Sequence, residues 1–129
     1  MNKQELLNKL LKSNLLSLAF IGDSVHTQFV REQVLSSYDG KMNNYHSQAS
    51  KYCKAEHQAK VMNDIMPILT QEELDIVKRA RNAKPKHQAK NASNADYTHA
   101  TMFEALIGYL YLSENKERLE KILNLSITN

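Results

Sequence analysis

Apolar residues recur at helical spacing along almost the whole chain, and strand-period alternation is nowhere sustained. Three glycines and two prolines in 129 residues leave too few tight turns for a sandwich or barrel. Packed helices are what remains. Asn2-Lys-Gln-Glu5 forms a capping box that opens a short helix running to about Lys12. Ser13 or Asn14 caps a second helix, to about Ser36, with Leu15, Leu18, Ile21, Val25, Phe29 and Val30 on a broad apolar stripe. After a turn at Tyr38-Asp-Gly40, one long amphipathic helix is expected from about Asn44 to Met66. Ala49, Tyr52, Ala59, Met62 and Met66 share one side of it, and Pro67 stops it. A second capping box, Thr70-Gln-Glu-Glu73, opens a helix with Leu74, Val77 and Ala80. A polar segment, about Lys84 to Ala95, leads into an apolar helix from Tyr97 to Leu112. Ser113 then caps a last helix with Leu119, Ile122, Leu123 and Leu125. The expected fold is a compact all-α domain of five to seven helices, spanning residues 1–129.

Two of these helices carry an electrostatic anomaly. Between Lys12 and Arg31 the charged residue is Asp23 alone, and between Asp96 and Glu114 it is Glu104 alone. An ionised carboxylate in an apolar helix loses solvation and needs a cation, hydrogen bonds or a raised pKa. Gly22 precedes Asp23, and Gly108 lies one turn beyond Glu104 on the same face. A glycine inside a helix costs about 1 kcal/mol relative to alanine, and its usual return is close approach of another backbone or a ligand. The simplest geometry crosses the two helices at their glycines and sets the carboxylates side by side. Mg²⁺ would suit such a pair, because it takes oxygen ligands, keeps several waters and needs one or two protein carboxylates. It can acidify a water and stabilise charge on a phosphodiester. The competing reading has each acid bonded locally, to His26, Thr27 or Thr101.

From Ile76 to Ala95 there is no acidic residue. Lys78, Arg79, Arg81, Lys84, Lys86 and Lys90 fall in that span, with Asn82 and Asn91 adding hydrogen-bonding groups. A helix end running into a basic segment is a candidate phosphate-binding element. It lacks an aromatic stacking platform, which disfavours single-strand readout and suits a duplex read through phosphates and 2′-hydroxyls. The plainer alternative is a solvated run that complements its helix dipole.

Other features narrow the class. One cysteine, Cys53, cannot form an internal disulfide, which fits a reducing cytoplasm, and it has no recognisable partner base. No apolar run approaches the roughly 20 residues of a membrane span, and the N-terminus has no signal-peptide core. His26, His46 and His57 read as polar helix positions, and no Cys/His spacing indicates zinc. The net charge of +3 is mild, so its distribution matters more than its sum.

Leu18-Ala-Phe-Ile-Gly-Asp-Ser-Val25 resembles the signature helix of ribonuclease III domains, and Phe103-Glu-Ala-Leu-Ile-Gly-Tyr-Leu-Tyr-Leu112 resembles their second acidic motif. Arg79-Ala-Arg-Asn-Ala-Lys84 and Lys90-Asn-Ala92 between them look like the compact Mini-III subgroup. The resemblance implies the ribonuclease III fold without a separate double-stranded-RNA-binding domain. It also implies a homodimeric, Mg²⁺-dependent endoribonuclease acting on double-stranded RNA, with a role in maturing the ends of 23S (large-subunit) ribosomal RNA precursor. Asp23 and Glu104 then become both catalytic residues and metal ligands. Lys78, Arg79, Arg81, Asn82, Lys84, Lys86, Lys90 and Asn91 become RNA contacts. Larger members usually carry further acids where this chain has Leu16, Ala19 and Thr101, which favours one Mg²⁺ over two. The Mini-III subgroup shares that reduction. Phe20 and Ile21 are candidates for a dimer seam. Two alternatives stand beside this reading: an inactive ribosomal-RNA-binding scaffold of the same fold, and a helical protein-interaction module.

Overall fold

The computed structural model describes residues 1–83 and 94–128. Among them are seven α-helices and no strand. In chain order these are α1 (Lys3–Leu11), α2 (Leu16–Ser37), α3 (Met42–Cys53), α4 (Ala55–Ile65), α5 (Gln71–Asn82), α6 (Asn94–Leu112) and α7 (Lys116–Ile127). A single 3-10 turn, Met66–Ile68, holds Pro67 and ends α4 as its missing N–H requires. Both capping boxes form. Asn2 Oδ1 accepts from the Glu5 N–H at 2.8 Å, and Thr70 Oγ1 accepts from the Glu73 N–H at 3.2 Å. The Glu73 carboxylate in turn accepts from the Thr70 N–H at 2.9 Å.

The expected long helix from Asn44 to Met66 is two helices. The chain breaks at Lys54, whose backbone is extended (φ −75°, ψ 153°). No glycine or proline forces this. Few hydrogen bonds are lost, because the Lys54 N–H closes α3 on the Ser50 carbonyl and the Lys54 carbonyl accepts from the His57 and Gln58 N–H groups. Tertiary packing decides instead: α3 lies on α2 and has no fully buried residue, while α4 turns onto α6 and buries Gln58, Ala59, Val61, Met62 and Ile65.

Helix α6 is the axis of the core. Phe103, Ala105, Leu106 and Ile107 are sealed from solvent, and α2, α4 and α5 pack around them. Sequence placed its start at Tyr97; it begins three residues earlier, at Asn94. Its C-terminus also differs from expectation. Ser113 does not cap α7. Instead Glu114 takes a left-handed conformation (φ 58°), with its N–H on the Tyr111 carbonyl and the Asn115 N–H on the Leu110 carbonyl. That closes α6 in a Schellman arrangement. Asn115 then caps α7 by accepting from the Arg118 N–H at 3.3 Å. No helix among the described residues is long and apolar enough to cross a membrane.

Candidate active site

Helices α2 and α6 form the most extensive interface in the molecule, and glycine permits it. A Cβ on Gly22 would overlap the Glu104 carbonyl oxygen and lie 2.8 Å from the Gly108 nitrogen. A Cβ on Gly108 would overlap the Leu18 carbonyl oxygen. The two backbones therefore touch at the glycine pair, as their positions predicted. An alanine at either site must push the helices apart.

The crossing sets Asp23 and Glu104 against each other. Their carboxyl groups are within hydrogen-bonding contact. Asp23 is exposed and Glu104 half-buried, so the pair opens to solvent on the Asp23 side. Burial, then the hydrogen bond and like charge of Asp23, push the Glu104 carboxyl up to about 9. At neutral pH Glu104 thus keeps its proton. The local partners considered from sequence do not take up these acids. Thr101 Oγ1 donates to the Tyr97 carbonyl at 2.9 Å, and the His26 ring bonds Gln58 and Ser126.

Behind Glu104 lies a buried polar chain that sequence reasoning missed. The Gln58 carboxamide, which offsets part of the rise in the Glu104 pKa, lies 3.2 Å, Nε2 to Nδ1, from His26. His26 Nε2 is 3.3 Å from Ser126 Oγ, and His57 Nε2 is 2.6 Å from the Ser126 carbonyl oxygen. His26, read from sequence as a polar helix position, is fully buried, edge-on to Phe103 with ring centroids 5.0 Å apart. Burial, then the nearby His57, lower its pKa to about 4, so the ring is neutral. One signal was available. Gln58 falls on the apolar stripe of α4 with Ala55, Ala59 and Met62, and a polar residue there has to find a partner. Cys53 is half-buried, and burial above all raises its pKa, as befits an inert thiol.

The basic residues divide. Lys78, Arg79, Arg81 and Asn82 occupy the exposed last turns of α5. Arg79 Nη2 donates to the Leu11 carbonyl at 2.5 Å, so its guanidinium also ties α5 to the end of α1. Lys84, Lys86, Lys90 and Asn91 lie outside the described residues. Phe20, one of the two candidates for a dimer seam, is 84% exposed on α2.

No cluster of three or more His, Cys, Asp or Glu forms a ready cation cage among the described residues. Two apposed carboxylates, one holding its proton against the charge of the other, have the donor set of a hard divalent cation that keeps most of its waters.

The Ribonuclease III domain model matches residues 16–115. The crystal structure of Protein FN1578 from Fusobacterium nucleatum superposes with a TM-score of 0.82 at 29% identity, over 89% of this chain and 92% of that one. The relative named Mini-ribonuclease 3 from Brevibacillus brevis is 47% identical, over 95% of this chain and 92% of its own length. The Mini-ribonuclease 3 of Staphylococcus aureus is 42% identical, over 98% and 95%. The chain belongs to the ribonuclease III family, in its Mini-ribonuclease 3 group, and is an endoribonuclease.

Proposed function

We propose that this endoribonuclease cleaves double-stranded RNA, with Asp23 and Glu104 as its catalytic pair and Mg²⁺ as its cation. The observation that carries the reading is the contact of the two carboxyls across the Gly22–Gly108 crossing, open to solvent at Asp23. Bound there, Mg²⁺ would supply an acidified water and a positive charge for the phosphodiester as it is displaced. The chain's own part is to hold the two carboxyls on helices fixed by the glycine crossing and the packed core of α6. No side chain is needed as a covalent nucleophile.

Duplex RNA would be gripped through its phosphates by Lys78, Arg79, Arg81 and Asn82, continued by Lys84, Lys86, Lys90 and Asn91. With three or four such contacts per protomer, log affinity should fall with log salt by about 0.9 per contact. The exposed Phe20 supports a homodimer built on α2, which would set one site against each strand. The substrate we assign is the precursor of large-subunit (23S) ribosomal RNA, trimmed at its ends in the cytoplasm.

The test is incubation of wild type and Asp23→Asn with structured duplex RNA, in Mg²⁺ or in chelator. Cleavage by wild type in Mg²⁺ alone, lost in Asp23→Asn, is the expected result. An intact duplex with wild type would sink the catalytic reading, and equal cleavage by Asp23→Asn would sink the site.

A further inference from the structure

Two acid-free stretches, remote in sequence, meet at one cleft. Residues 6–22 carry no Asp or Glu, and neither do residues 76–95. The first brings Lys9 and Lys12 to the end of α1, and the second brings Lys78, Arg79 and Arg81 to the end of α5. The fold joins the two through Arg79, whose Nη2 donates to the Leu11 carbonyl at 2.5 Å. Beside that bond lies an open cleft of about 490 Å³. Ser13, Asn14 and Leu15 line it from the α1–α2 turn, and Arg79, Asn82 and Ala83 line it from the end of α5. Its four polar residues are exposed, while Leu15 is buried. No carboxylate lines it among the described residues, and none of them pairs with Arg79.

Local bonding decides what these groups can still bind. Asn14 Oδ1 accepts from the Leu16 N–H at 2.7 Å. A backbone N–H needs an acceptor, so the amide oxygen faces the helix and the amide nitrogen, with its two donors, is turned away from it. Arg79 has five N–H donors, and the bond to Leu11 uses one of them. That bond holds the guanidinium at the rim with the rest of its fork available. A cleft of fixed donors with one unpaired cation suits an oxyanion of spread charge, above all a phosphate. Position suits a phosphate of the substrate. Leu15 lies eight residues before Asp23, about 12 Å along the axis of α2. A DNA duplex carries one negative charge per about 1.7 Å of axis, and an RNA duplex is similar. A duplex with its scissile bond at Asp23 therefore carries further phosphates within that reach.

We propose that the cleft between the α1–α2 turn and the end of α5 is a subsite for a backbone phosphate of the RNA, with Asn14 and Arg79 as its principal donors. The proposal rests on the reading that the end of α5 grips duplex RNA. It adds a second element to that grip, the α1–α2 turn. It also adds a neutral donor, Asn14, whose aim is set by its bond to Leu16 rather than by a long flexible stem.

Asn14→Asp is the informative variant. Aspartate accepts from the Leu16 N–H as asparagine does and caps a helix equally well, so the fold is kept. It removes both donors, however, and sets a charge against the phosphate. Asn63→Asp, exposed on α4 outside the cleft, makes the same change in net charge. Ser13→Asp places the charge on the same wall of the cleft and decides the matter should Asn14→Asp fail to fold. The experiment measures Kd for a labelled RNA duplex by fluorescence anisotropy in chelator, at low and high salt. Melting temperature, and kcat and KM in Mg²⁺, are measured beside it. Asn14→Asp should bind about tenfold more weakly at low salt. The gap should narrow as salt screens the repulsion, and the loss should appear in KM. Its melting temperature should match wild type, and Asn63→Asp should bind as wild type does. Folded Asn14→Asp that binds as tightly as Asn63→Asp would overturn the subsite, reducing the cleft to a structural joint, and leave the grip of α5 standing. The same result from Ser13→Asp, where Asn14→Asp does not fold, would overturn it equally. Failure of wild type to bind the duplex at low salt would overturn the grip and the subsite together.

Discussion

Two buried-side glutamates in this molecule meet opposite fates. Glu73, in the first turn of α5, is 3% exposed and has Arg118 in front of it, 2.7 Å from Nη2 and 2.8 Å from Nε. Burial raises its pKa, but the Arg118 bonds and the Thr70 N–H more than offset this, and the carboxyl ends below its ordinary value. Arg118 also donates to the Ile68 carbonyl at 2.7 Å, so the clamp pins the α4–α5 connection to α7. Among the described residues Glu104 is given no such cation. It faces a second acid, and burial and repulsion together drive its pKa up. At Glu73 the chain supplies the counter-charge itself; at Glu104 the proposed reaction would have a bound cation supply it.

The comparison breaks most visibly in activity. Asp23→Asn should lower cleavage of duplex RNA by about a thousandfold or more, since it removes a negative charge and one oxygen from the proposed cation site, while the protein stays folded. A smaller energy but a larger structural loss is expected from Arg118→Leu. Removing one partner of a buried pair strands the Glu73 charge, at a cost of about 3 kcal/mol in denaturant unfolding. The activity of the molecules that remain folded should be retained.

Glu104→Gln should act in the opposite sense on stability. The folded pKa of Glu104 lies above its unfolded value, so its contribution to stability is fully present below about pH 4.5 and is lost as pH rises toward about 9. A glutamine has no proton to lose. In chelator near pH 8 the variant should therefore be more stable than wild type, by about 2 kcal/mol, and the gap should close toward pH 5. Glu114 completes the series as an exposed acid. Its pair with Lys3 is 3.9 Å long and open to solvent, so it contributes almost nothing. Relief of its left-handed backbone in Glu114→Gly should raise stability by about 0.5 kcal/mol in thermal unfolding.

Much of this contrast was legible in the sequence. Asp23 and Glu104 stood out because each is the lone charge of an apolar stretch, and Gly22 and Gly108 marked where backbones would touch. The Thr70–Glu73 capping box was readable, but Arg118 as its partner was not, because forty-five residues separate it from Glu73 and only packing joins them. The same holds for Gln58, His26 and Ser126, whose meaning lies in a convergence of four helices that no single periodicity encodes. The break at Lys54 escaped for a different reason. It carries no glycine or proline, and the competition between α2 and α6 for the two halves of the segment exists only in the folded molecule. The capping of α7 by Asn115 was hidden by the unusual left-handed Glu114, a residue type that rarely closes a helix.

The central claim is that the Asp23–Glu104 pair is kept short of positive charge so that a divalent cation can supply it. The most direct measurement is the melting temperature of wild type and Glu104→Gln near pH 8, each in chelator and in Mg²⁺. Glu104→Gln should melt higher than wild type in chelator, and Mg²⁺ should raise wild type while leaving the variant where it was. A wild type that melts at the same temperature with and without Mg²⁺, and above Glu104→Gln in both, would contradict it.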